Sequence, residues 1–473
     1  MKAYIPLIVA TCLLLSAGCT VGPDYVRPTA VATMPAAFKE LDGWKVAEPK
    51  DSALHERWWE LFNDPTLNSL AEQVKISNLT VAVAEAQFRQ ARAQLQGAKA
   101  GYFPTVSVGA SAARSQRSGS LGAGSTGGAT SSDFLLPLDV TWELDLWGKV
   151  RRDVEAREAD SQAAAANLAA VTLSSQAELA LDYFLLRTVD SQKQLLEATT
   201  TVYTKALELT TNRYAAGVAA KSDLLLAQSQ LKSTQAQALD LGVQRAQLEH
   251  AIALLMGKPT AEFSLPSLPL TLTAPPPPVP VGLPSVLLER RPDIAGAERR
   301  VAAANAQIGV AEAAWYPTVR LSASGGFEAT SVSRWLSWPS RFWAVGPAVA
   351  ESVFDGGLRR AQDEQLKGAY DATVATYRQT VLTGFREVED NLAALRILEE
   401  ESLVQNEAVK AAADSVTIVR NQYKAGTVSY LSVIVLQASE LANERSAIDI
   451  LGRRMSATLL LIKALGGGWA PPP

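Results

Sequence analysis

The sequence predicts an α+β fold built from two tandem copies of one pattern: helix, two alternating strands, long helix, turn, long helix. Three echoes about 210 residues apart carry this reading. Gly101-Tyr102-Phe103-Pro104-Thr105-Val106 is matched by Ala314-Trp315-Tyr316-Pro317-Thr318-Val319. Gly148 to Arg152 (GKVRR) is matched by Gly356 to Arg360 (GGLRR), and Arg213-Tyr214-Ala215-Ala216-Gly217 by Gln422-Tyr423-Lys424-Ala425-Gly426. Three matches in the same order mark a duplication, and a repeat governs how every element inside it is read.

Taken in order, residues 1–18 read as a signal peptide. They carry one positive charge, Lys2, and an apolar stretch from Ile5 to Ala17, too short for a membrane-spanning helix. Residues 14–19, Leu-Leu-Ser-Ala-Gly-Cys, resemble a bacterial lipoprotein box, with Ser16 where leucine is usual. The resemblance implies cleavage before Cys19 and lipid on its thiol and amine. Thr20, rather than Asp, follows it, which implies the outer membrane. A cleaved signal followed by an ordinary cysteine is the competing reading. Residues 19–65 are rich in proline and tryptophan with little periodicity, and read as an extended arm from the anchor.

The first repeat occupies residues 66–256. Its opening helix starts at Asp64-Pro65, a cap and first turn, and is expected to run unbroken to about Ala100. In the second repeat, residues 287–465, the counterpart starts near Arg291-Pro292-Asp293 and ends near Ala314. Strands follow. Leu136, Leu138, Val140, Trp142, Leu144 and Leu146 alternate with Pro137, Asp139, Thr141, Glu143 and Asp145, a strict period of two with acids on one face. Val106 to Ala112 and Val319 to Ala323 alternate in the same way, and a less regular fourth strand spans about Phe342 to Val353. Pro137 and Pro347 suggest strand starts, edges or bends. From Gly148 to about Arg213 there is neither proline nor interior glycine, enough for roughly 100 Å of helix. Leu181, Leu195, Val202 and Leu209 keep a seven-residue frame there. Leu224, Leu231, Ala238 and Ile252 keep it in the next helix, and Val374, Val381, Val388, Leu395, Val409 and Val416 in the second repeat. A seven-residue repeat implies coiled-coil-like meshing. Proline-rich residues 257–286 separate the repeats, and residues 466–473 form a short tail.

Composition narrows the chemistry. Cys12 and Cys19 are the only cysteines, and His55 and His250 the only histidines. The mature chain therefore holds no disulfide, and a zinc site or a catalytic triad would be hard to build. No phosphate-binding loop is present. A formal net charge of −4 does not provide the field that nucleic acid requires. No constellation for catalysis or for a cofactor emerges, so the sequence reads as a non-enzyme. After the leader no apolar run is long enough for a transmembrane helix, so any bilayer crossing must use strands. Four strands cannot close a barrel, and an open edge in lipid leaves backbone groups unpaired. The strands are therefore either a share of a barrel built by several chains or a small soluble sandwich on a helical stalk.

Four stretches carry a resemblance that covers nearly all of the mature chain. They are residues 19–28 (CTVGPDYVRP), 58–67 (WWELFNDPTL), 142–148 (WELDLWG) and 289–294 (ERRPDI). The sequence resembles the TolC-like outer-membrane factors, and among them the lipoprotein subunits that serve resistance-nodulation-division efflux pumps. The resemblance implies a homotrimer. Each chain would give four strands to a twelve-stranded outer-membrane β-barrel and its long helices to a periplasmic α-helical barrel, with most of the mass in the periplasm. It implies passive conduction of small molecules from an inner-membrane pump, through a periplasmic adaptor, to the exterior. Adaptor docking is implied at two helical tips: Arg213, Tyr214, Gly217 and Ser222 in the first, Tyr423, Gly426 and Ser429 in the second. Gly217 and Gly426 also have a local reason, since turns between antiparallel helices favour positive φ. Relatives often place an acid just after the second tip. Here Tyr430 to Gln437 contains none, while Asp223 keeps one near the first tip. A more apolar constriction follows, with Leu431 and Val435 as contributors beside Asp223. Asp139, Glu143 and Asp145 are expected to face water inside the barrel, either favouring cations or merely solvating a polar face. A secretion-system outlet and a non-conducting structural lipoprotein are the competing functions.

Overall fold

The computed structural model describes residues 20–31, 34, 35, 37–40, 57–116, 118, 130–270, 276, 277, 279 and 290–469. The leader, Cys19, Glu289 and much of residues 257–286 lie outside these, so the lipidation and signal-peptide readings rest on sequence alone. The described elements run in the predicted order, and the chain forms two compact units. Neither unit is a sequence repeat. Each draws segments from both.

The first unit (residues 1–28, 88–164 and 297–377) contains the sheet. Its strands are β1 (Thr105–Val108), β2 (Ser111–Gln116), β3 (Thr130–Leu144), β4 (Thr318–Ala329) and β5 (Arg341–Ala350). All pair antiparallel, with β3 between β1–β2 on one side and β4 on the other, and β5 beyond β4. β1 and β2 keep one register against β3 and act as a single strand interrupted at Gly109-Ala110. The cause is opposite them. Gly109 donates to the carbonyl of Pro137 at 3.1 Å, and Pro137 has no N–H to return. Pro137 is thus neither a strand start nor an edge but an interior position of the central strand. On its other side stands Gly326, where a Cβ would lie 2.0 Å from the Leu136 carbonyl oxygen. Pro347 does lie on an edge strand, β5. Within the sheet, pairing of β3 with β4 joins the two repeats. β3 ends at Leu144, two residues short of the predicted alternation, because Asp145 turns the chain into the next helix.

The N-terminal arm packs onto this unit from Thr20 onward. Val21 donates to Trp147 O at 3.1 Å, Asn305 donates to Pro23 O at 2.9 Å, and Arg152 reaches Gly22 O and Asp24 at 3.1 and 2.9 Å. Tyr25 donates a short hydrogen bond to Glu298, and burial followed by that carboxylate drives its hydroxyl pKa upward. Gly22 has φ +96°, and a Cβ there would sit 2.4 Å from Gly309 Cα. The glycine is required by both conformation and space.

The second unit (residues 29–87, 165–296 and 378–473) is helical and holds the main core. Seven α-helices lie among the described residues: α1 (Pro65–Ser77), α2 (Leu79–Lys99), α3 (Lys149–Ala215), α4 (Lys221–Leu255), α5 (Pro292–Ala313), α6 (Leu358–Lys424) and α7 (Tyr430–Ala464). α3 and α6 are each 67 residues long, and α4 and α7 each 35. Their starts and ends all correspond at a spacing of 209 positions, so the duplication is preserved to the residue. None of the described helices is long and apolar enough to cross a membrane.

Two expectations are corrected here. The single helix from Asp64 to Ala100 is two helices, broken at Asn78. Its backbone is extended (ψ 123°), its Oδ1 caps α2 by accepting from Thr80 and Val81, and its Nδ2 donates to Leu255 O at 2.8 Å. Asn78 caps more readily than it continues a helix, and here it also bonds the end of α4. The second correction concerns α3. Val202 and Leu209, positions of the expected frame, are exposed, and Leu195 is only half-buried. The protomer instead buries Val189, Leu196, Tyr203 and Thr210, one residue further along. In α6 the expected frame is the buried one at Val374, Val381, Val388, Leu395 and Val416. α3 therefore carries a second apolar seam that its own chain does not cover.

Candidate functional site

In the first unit the strand register sorts side chains onto two faces. Residues paired across strands share a face. One face carries Val106, Val108, Leu138, Val140, Trp142, Leu321, Trp343, Val345 and Val349. It is uncovered: Trp343 is 79 % and Val345 71 % exposed. The other face carries Ser107, Asp133, Asp139, Thr141, Glu143, Arg320, Ser322, Ser324 and Glu328. A sheet with one bare apolar face and one polar face, 10 to 15 residues along its longer strands, suits a bilayer on one side and water on the other. Among the described residues no further strand pairs with its two edges, at β1–β2 and at β5, and lipid does not tolerate an open edge.

The three acids expected to line the lumen differ in placement. Asp139 accepts from the Ser324 hydroxyl at 2.6 Å. Glu143 is met by Lys149 at 3.2 Å and Arg320 at 3.6 Å, which offsets much of its field. Asp145 lies beyond the strand, and its carboxylate accepts from the backbone N–H groups of Val150 and Arg151, both at 2.9 Å. It caps the start of α3, a use the strict alternation in sequence concealed. Asp355 does the same for α6, accepting from Gly357 and Arg359. Near the roots of the strands Trp147 stacks on Tyr316 with ring centroids 4.9 Å apart, and its Nε1 donates to Pro317 O at 2.8 Å. Trp142 donates to Tyr102 O at 3.1 Å. The Trp147 contacts tie the strand roots of the two repeats and the Trp142 contact ties those of the first, all through aromatic groups that favour a membrane–water boundary.

In the second unit the two helical tips lie side by side. Gly217 and Gly426 have φ +74° and +77°, and each accompanies the same turn: Val218 N–H bonds Arg213 O, and Thr427 N–H bonds Gln422 O. Arg213 of the first tip places its guanidinium 4.6 Å from the ring centroid of Tyr423 in the second and donates to Tyr423 O at 3.4 Å. Tyr423 packs on Tyr430 at 5.2 Å, and both are buried with Ala227, Val419 and Val433. Tyr214, Gly217, Ser222, Gly426 and Ser429 remain exposed, while Asp223 is half-buried in the first turn of α4. Leu431 and Val435, one turn apart on α7, share a face and are 53 % and 57 % exposed.

Sequence reasoning missed two features. The Arg213–Tyr423 contact joins positions 210 apart, and no local pattern signals it. Behind the tips, Glu440 and Glu444 sit one turn apart on α7, near Tyr203. Burial raises the pKa of both, with Glu440 adding to the effect at Glu444 and Arg420 opposing it at Glu440. A carboxyl whose folded pKa is raised contributes stability below its unfolded pKa and loses it as pH rises through the folded value. The contribution of this pair to thermal stability should therefore grow as pH falls from neutral towards the ordinary glutamate range, and that part of the pH dependence should be missing in Glu440→Gln/Glu444→Gln. An identical pH profile in that variant would contradict this origin.

Comparison with known proteins completes the site. Residues 70–258 and 283–467 match the family described as outer membrane efflux protein. The chain is 31 % identical over 468 residues to the outer membrane protein OprJ of Pseudomonas aeruginosa, covering 95 % of this chain and 93 % of OprJ. It is 29 % identical to the solvent efflux pump outer membrane protein SrpC of Pseudomonas putida, covering 97 % of each. Among solved structures, that of the outer-membrane channel OprN superposes with a TM-score of 0.89 at 32 % identity, covering 95 % of this chain and 100 % of that one.

Proposed function

Since the chain belongs to the outer membrane efflux protein family, we propose that three copies of it close into one lipid-anchored duct through the outer membrane. Its function is that of an outer-membrane channel of a tripartite efflux pump, the exit for small molecules delivered by an inner-membrane pump through a periplasmic adaptor. The family is one of ducts rather than enzymes. The observation that carries the trimer is the four-stranded sheet with a bare apolar face and two open edges. Three such sheets joined edge to edge leave no edge in lipid. The uncovered seam of α3, with Leu185, Val202 and Leu209 exposed, supports the same arrangement among the helices. The arm supports an anchor at Cys19, because Thr20 lies against Gly148 at the strand roots, where a bilayer boundary would fall.

The tips Arg213, Tyr214, Gly217, Ser222, Tyr423, Gly426 and Ser429 are read as the adaptor-docking end. Leu431 and Val435, with Asp223, are read as the constriction. An apolar constriction resists wetting, so it blocks ions without a charged ring. Leu431→Ala/Val435→Ala should raise single-channel conductance on the order of twofold; an unchanged conductance would remove these residues from the gate. Conductance of the wild-type protein in a planar bilayer tests the function itself. A non-conducting, bracing lipoprotein would give none.

A further inference from the structure

Charge on the sheet is sorted by face in a way that the duct does not need. The polar face carries four acids, Asp133, Asp139, Glu143 and Glu328, and one base, Arg320. The apolar face carries no acid among the described strand residues. Its only charged groups there are Arg114 and Arg341. Both lie towards the same end of the sheet. Arg114 pairs opposite Ser132, and Arg341 opposite Phe327, which in turn pairs with Leu136. That end is the one away from where β3 leads into α3, so in an outer-membrane barrel it faces the exterior. The Arg341 guanidinium lies 4.0 Å over the ring of Trp338, itself 72 % exposed, in a β4–β5 loop that also carries Arg334 and no acid.

An arginine on a lipid-contacting face is costly in the hydrocarbon and favourable at the headgroup level, beside anionic groups. Tryptophan marks the same level. We propose that Arg341 with Trp338 on one edge of the sheet, and Arg114 on the opposite edge, are two contact points for the phosphate groups of outer-leaflet glycolipid headgroups. Guanidinium matches phosphate through paired N–H donors, and the indole holds one such fork in place. This rests on reading the sheet as part of an outer-membrane barrel.

The test is native mass spectrometry of the full-length mature protein in mild detergent, titrated with diphosphorylated lipid A and with its dephosphorylated form. The expected result is a preference of tenfold or more for the phosphorylated form. Arg114→Gln/Arg341→Gln should abolish the preference, while Arg320→Gln, on the polar face, should keep it. Equal binding of the two lipids, or a preference unchanged in Arg114→Gln/Arg341→Gln, would overturn the site. A trimer with no phosphate preference sinks the lipid site alone, whereas a monomer sinks the barrel reading and the site together.

Discussion

Asp190→Ala destabilises the helical unit by about 3–5 kcal/mol, the cost of stranding buried charges. The Asp190 side chain is fully buried. It accepts from Arg245 Nε at 2.8 Å, from Arg187 Nη1 at 3.3 Å and from the Leu268 backbone N–H at 3.0 Å. Both arginines extend the network to the segment after α4. Arg187 donates to Pro266 O at 2.8 Å and lies over the Tyr183 ring, and Arg245 donates to Leu265 O at 2.7 Å. Ser191 accepts from Leu270 N–H at 2.7 Å. Removing the carboxylate leaves the buried Arg187 guanidinium without its carboxylate, leaves Arg245 with Glu249 alone, and releases one end of residues 265–270. Protease should then cut this segment in the folded protein, and the denaturation midpoint should fall. Asp190→Asn, which keeps an acceptor for Leu268, should lose less. Arg157→Ala, which breaks only half-exposed pairs with Asp153 and Asp160, should change stability by less than about 1 kcal/mol. A loss of that small size in Asp190→Ala would mean that the network does not clamp the segment.

The second large effect separates the two faces of the sheet. Leu138 and Ser322 lie on neighbouring strands but on opposite faces. Leu138→Arg places a charge on the lipid side near mid-sheet and should cost about 2–4 kcal/mol, enough to empty the outer membrane of assembled protein. Ser322→Arg places the same charge on the polar side. Assembly should survive, and conductance should fall with a shift away from cations. Normal assembly of Leu138→Arg would mean that this face does not meet lipid.

Much of this was legible in the sequence because a period is a physical constraint. Strict alternation from Leu136 to Leu144 could belong only to a strand with two unlike faces, and the echoes at Gly148 and Tyr214 announced helices that match in length. What was hidden depended on tertiary partners. Asn78 interrupts a continuous helical pattern because it caps α2 while bonding Leu255, 177 positions away. Asp145 continues an alternation it has already left, since capping and strand alternation ask for the same residue type. The buried seam of α3 is one residue from the expected frame, because the helix carries two apolar stripes and the protomer buries the other one. Sequence shows the stripes but not which one its own chain covers. Arg213 and Tyr423 could be placed at tips but not against each other.

The central claim is that a single chain is a third of a duct. The most direct measurement is the native mass of the mature protein extracted in mild detergent, with the N-terminal residue and its lipid read in the same spectrum. The account predicts three copies, each acylated on Cys19. A stable single chain would leave β1–β2 and β5 as open edges and would contradict the shared barrel.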